Sequence, residues 1–161
     1  MLDFIKKQKI GNWITLGTLI LAVVSAIVYG VHISKVGTFY GLTVPTLVIT
    51  SIISIVLLVA VLVLSQFEFG GIVGKIVSIA CDVMRVVVPA LLFLGLINFI
   101  ASRADGLGFL YGAADNIRDS IQTPENLASA ESGIAGFVLY AISAVIGIVA
   151  AFFSVGKKEE A

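Results

Sequence analysis

Four long apolar runs fill most of this chain and leave it few folds to adopt. Bilayer hydrocarbon is about 30 Å thick, and a helix needs about 20 residues to cross it. The runs at 13–33, 44–64, 72–101 and 133–155 all reach that length. In lipid each must satisfy its own backbone N–H and C=O groups, which favours helix; barrel strands are half as long and alternate in polarity. The expected fold is therefore an all-α integral membrane protein, a four-helix transmembrane bundle forming one domain over residues 1–161. A short, partly helical outer loop at 102–132 joins the third and fourth spans.

Composition agrees with this reading. Apolar residues make up 59% of the chain and charged residues 12%, about half the charged share usual in a soluble domain. Ten basic residues balance ten acidic ones, so no cationic face is available for nucleic acid. The lone cysteine, Cys81, excludes an internal disulfide and reads as a small buried hydrophobe.

Local chemistry sets the expected ends. Thr43 and Pro45 suit the start of the second helix, as cap and first turn. Gly156 with Lys157 and Lys158 suits the end of the fourth. Aromatic residues such as Trp13, Tyr40, Phe67 and Tyr111 fall near span ends, where amphipathic rings gather. Lys6, Lys7, Lys9, Lys75, Lys157 and Lys158 flank one side, against Lys35, Arg103 and Arg118 on the other. That asymmetry places both termini in the cytoplasm of a cell inner membrane or plasma membrane. The run after Lys9 also resembles a cleavable signal, but it continues to Ile33, longer than a signal core.

Small residues suggest how the helices pack, since lipid gives no hydrophobic drive for their association. Thr18, Ala22, Ala26 and Gly30 recur every four residues in the first span. Ser143, Gly147 and Ala151 do the same in the fourth, and Thr46, Thr50 and Ser54 in the second. These faces predict close contact among the first, second and fourth helices.

The third span carries an intramembrane polar stripe: Lys75, Ser78, Asp82, Arg85 and Pro89 share one face. Asp82 and Arg85 are spaced to pair, and Pro89 withholds a hydrogen bond from the Arg85 carbonyl. Charge at membrane depth is a functional hypothesis by default; for Asp82 and Arg85 a structural or partner-binding role is expected ahead of conduction or coupling. Arg85 lies about 15 Å along the helix from Lys75, near mid-membrane if Lys75 marks the interface. If the apolar block 86–101 is the true core, Arg85 instead snorkels at the interface.

In the outer loop, Ala113, Ala114, Ile117 and Ile121 predict a short amphipathic helix, and Thr123-Pro124-Glu125 the start of a second short one. No catalytic, cofactor or metal motif stands out. His32 is the only histidine and is expected at the outer interface without a special task. The expectation is a non-enzymatic accessory or scaffolding subunit, with lipid and a membrane-protein partner or self-association as its contacts. A small homo-oligomeric channel or transporter is the second reading. A membrane enzyme acting through Asp82, His32 or Cys81 comes third.

Overall fold

The computed structural model describes residues 8–67 and 69–156. Lys6, Lys7, Lys157 and Lys158, used above for orientation, lie outside them. The described residues form five helices and no strand: α1 (Ile10–Ser34), α2 (Pro45–Leu64), α3 (Gly71–Tyr111), α4 (Asp115–Ile121) and α5 (Pro124–Ala151). All but α4 are long and apolar enough to cross a membrane.

Consecutive long helices run in opposite directions, and α5 closes the ring by packing on both α1 and α3, with α2 against α3. Phe99, Tyr140, Leu47, Leu58 and Leu92 fill the centre and are fully buried. Large apolar side chains on the outer faces, including Ile20, Ile52 and Ile97, are exposed. Apolar residues both inside and outside suit a bundle whose solvent is lipid.

Glycines mark where backbones approach most closely. A Cβ at Gly136 would lie 2.9 Å from the Phe99 ring, and one at Gly95 2.9 Å from Leu47. Thr18 and Ala22 of α1 are buried, as are Ser143 and Gly147 of α5. Gly147 faces Thr18 and Pro89 at 3.4 Å, and Ser25 Oγ and Ser143 Oγ share a hydrogen bond of 3.1 Å. The α1 face opens out before its expected end. Ala26 and Gly30 are half-buried, and nothing lies within 4 Å of a Cβ at Gly30. The hydroxyl face of α2 meets α3 rather than α5 at Thr50, which sits against Gly95. Ala151 is half-buried at the last turn of α5.

Several boundaries differ from the sequence expectation. The stretch 102–132 is mostly span helix continued: α3 runs on to Tyr111, and α5 begins at Pro124. Thr123 does cap, its hydroxyl accepting from the Asn126 N–H at 3.3 Å, but the helix it starts is the 28-residue α5. Charged and small polar residues there reduce hydropathy without breaking helix, so hydropathy alone ended both spans early. The expected amphipathic helix is α4, with Ile121 packed on a small outer core of Phe39, Leu110 and Ala130. At α2 the cap position is Val44, with no side-chain cap bond. At the other end α5 stops at Ala151, ahead of Gly156.

Gly156, at φ 110°, is held by α1 instead. Its N–H donates to Asn12 Oδ1 at 3.0 Å, and its carbonyl accepts from Asn12 Nδ2 at 3.1 Å and from the Lys9 N–H at 3.0 Å. Gln8 Nε2 donates to Gln66 Oε1 at 2.9 Å. Both described chain ends and the α2–α3 turn therefore share one end of the bundle.

Candidate functional site

The candidate site is a pair of buried arginines on α3. Arg85 and Arg103 are 3% and 2% exposed. They stand 18 positions apart (103 − 85), which is about five helical turns, so both face the bundle interior about 27 Å from each other. Each fastens one end of the bundle.

Near the chain ends, Arg85 Nη2 donates to the carbonyls of Ala150 and Phe153. These carbonyls lie in the last turn of α5 and just beyond it, where the helix dipole favours a cation; the Ala150 carbonyl also accepts from the Phe153 N–H at 3.2 Å. Asp82 is 3.4 Å from Arg85 Nη1, but its side chain is 65% exposed. The stripe read from the sequence therefore divides. Arg85 and Pro89 are buried against α5, whereas Lys75, Ser78 and Asp82 are exposed.

At the opposite end Arg103 takes part in a larger network. Its Nε donates to His32 Nε2 at 3.1 Å, and Nη2 donates to the Leu42 carbonyl in the α1–α2 loop. Its guanidinium carbon lies 5.1 Å from the centre of the Phe39 ring and 5.7 Å from that of Phe99, within cation–π range. His32, fully buried, directs Nδ1 to the Ser129 carbonyl at 3.1 Å and to Ser132 Oγ at 3.0 Å. Accepting at Nε2 and donating to a carbonyl at Nδ1 requires a neutral imidazole with its proton on Nδ1.

The α1–α2 loop is built into this network. Gly37, at φ 139°, lies so close to α5 that a Cβ would be 2.6 Å from the Glu125 carbonyl oxygen. The Phe39 N–H reaches Ser129 Oγ at 3.4 Å. Four segments thus converge on Arg103 and His32: the end of α1, the loop after it, α3 and the first turns of α5.

This network corrects two expectations. His32 is a buried partner rather than an idle interfacial residue, and Arg103 is a buried cross-link rather than a free loop charge. One signal was present in the sequence: the 18-residue repeat of arginine on a single helical face. The His32–Arg103 bond had none, because it joins residues 71 positions apart.

Hydroxyls at the centre of the bundle pair across helices. Ser51 Oγ pairs with the Tyr140 hydroxyl at 2.8 Å, and Ser25 with Ser143. Among the described residues no group of three or more His, Cys, Asp or Glu is placed to hold a metal ion. No family model, curated protein or solved structure matches this chain.

Proposed function

We propose that the chain is a non-enzymatic accessory or scaffolding subunit of a larger membrane assembly. It sits in a cell inner membrane or plasma membrane as a multi-pass protein, with both ends on the cytoplasmic side. The observation that carries this reading is where the buried positive charge is directed. Both guanidinium groups reach carbonyls of their own chain, and Arg103 also reaches His32. Charge placed to bind helices together supports a rigid structural part. Transport or acid–base catalysis would instead need an ionisable group open to its substrate.

The same pair supports a position in the bilayer. Its separation of about 27 Å nearly equals the hydrocarbon thickness of about 30 Å, so Arg85 and Arg103 sit at the two interfaces, their charged heads turned to helix and loop ends. The span of α3 is then about 86–102. Asp82 and Lys75 lie in the cytoplasmic headgroup zone and beyond it, where charge costs little.

Purification in mild detergent followed by native mass measurement tests the reading. The expected result is this 16.9 kDa chain held in fixed stoichiometry with a different polypeptide. Only copies of this chain, coupled with solute flux in liposomes, would overturn it in favour of a transporter.

A further inference from the structure

Helix α3 is 41 residues long, about 60 Å, and its first 14 residues (71–84) precede Arg85. Membrane placement as above puts much of this stretch, about 21 Å, on the cytoplasmic side of the hydrocarbon. It is far from polar. Ile72, Ile76, Ile79 and Val83 are 78%, 61%, 64% and 55% exposed, and no other described part of the chain covers them. Lipid can cover such residues within the span; at the membrane surface and in water they are a large uncompensated apolar face.

Their spacing indicates what covers them. The steps between them are four, three and four residues, which is the heptad alternation of a coiled-coil seam. Ile76 and Val83 take one core position of the heptad, and Ile72 and Ile79 the other. The alternation continues into the span through Val86, Ala90 and Ile97, which are exposed, and through Phe93, which is half-buried and also packs against the bundle core. A cavity of about 310 Å³ opens on this line, between Val86, Pro89, Ala90 and Phe93 of α3 and Ile148 and Phe152 of α5. The uncovered face and a recess able to take a neighbouring side chain are therefore continuous.

We propose that this seam is covered by α3 of further copies of the same chain, packed in parallel about an axis along the membrane normal. Copies inserted with the same orientation present their α3 helices parallel and in register, as this coiled-coil geometry requires. The flanking charges permit it. Lys75 and Asp82 both fall on one edge of the seam, and the opposite edge, which meets them across a parallel interface, carries Val73, Ala80 and Val87. No like charges are forced together. Isoleucine and valine at both core positions favour more than two strands. The resulting axis is lined by branched apolar side chains and makes a support rather than a pore.

The inference rests on the scaffolding reading and its membrane placement, and cysteine cross-linking in native membranes tests it. In a full-length Cys81→Ala background, Ile79→Cys is oxidised alongside Ile20→Cys and Ile52→Cys, which face outward on α1 and α2. Ile72→Cys is a second seam probe at a position with no packing to disturb. The expected result is at least tenfold more disulfide-linked dimer at 79 and 72 than at 20 and 52. Equal yields at all four positions would overturn the proposal. Ile76→Lys with Ile79→Lys should also lower the number of copies in the detergent-solubilised particle with helical content unchanged; an unchanged copy number would contradict it. A foreign subunit that remains attached while seam cross-links fail would sink this inference and leave the accessory reading standing. Seam cross-links without any foreign subunit would do the reverse.

Discussion

Arg103 ties several segments together, because its planar fork meets an imidazole, a loop carbonyl and two aromatic rings at once. A lysine offers one point charge and cannot reproduce that geometry. Arg103→Lys should therefore lose most of the stability that Arg103→Leu loses, and thermal unfolding in mild detergent measures both; a lysine variant as stable as the parent would refute the fork argument. His32→Ala leaves Arg103 Nε without its acceptor, while the Ser129 carbonyl keeps Ser132 Oγ at 2.7 Å, and should cost about 1–3 kcal/mol for the group left unsatisfied. Within the same melts, Arg85→Leu should loosen the end of α5 by stripping the Ala150 and Phe153 carbonyls of their shared donor. Hydrogen exchange concentrated in the last turn of α5 is the expected signature; uniform exchange along the helix would contradict it.

Helix contacts separate glycines that look alike in sequence. Gly136 and Gly17 both lie inside long helices, yet a Cβ at Gly136 would press on Phe99 at 2.9 Å while one at Gly17 meets nothing within 4 Å. Gly17→Ala should raise stability by up to about 1 kcal/mol, the ordinary helix-propensity gain. Gly136→Leu should lower it by about 1–3 kcal/mol through overpacking, and a reversed order of the two melting temperatures would disprove the assignment of close packing. Sequence periodicity draws a face through Thr18 and Ala22 and another through Ser143 and Gly147, because small residues at fourfold spacing leave a direct trace; all four are buried. It carried the first face on to Gly30, since spacing along one helix holds no information about where a neighbour diverges. The ends of α3 and α5 were read too short for a related reason: hydropathy marks where lipid ends, whereas a helix ends only where its hydrogen bonding and caps require. The polar stripe from Lys75 to Pro89 was legible as one helical face, but not that it divides, with Arg85 and Pro89 turned to α5 and Lys75, Ser78 and Asp82 exposed.

An antiparallel ring of four long helices brings Gln8, Gln66 and Gly156 to one end and the core of Phe39, Leu110 and Ala130 to the other. Four of its helices are long and apolar enough to cross a membrane, and the proposed placement has them do so with both described ends on one side. That general architecture followed from four apolar runs alone, because few alternatives satisfy backbone hydrogen bonds in lipid. The two arginine clamps did not follow, because each depends on where distant segments meet. Accessibility labelling in intact cells tests the placement most directly. In the Cys81→Ala background, single cysteines at Lys9, Phe67 and Ser120, none of them buried, are treated with a membrane-impermeant maleimide. The expected result is strong labelling at Ser120, in α4, and none at Lys9 or Phe67 until the membrane is opened. Labelling of Lys9 from outside while Ser120 stays protected, or of Lys9 and Phe67 from opposite sides, would contradict the account.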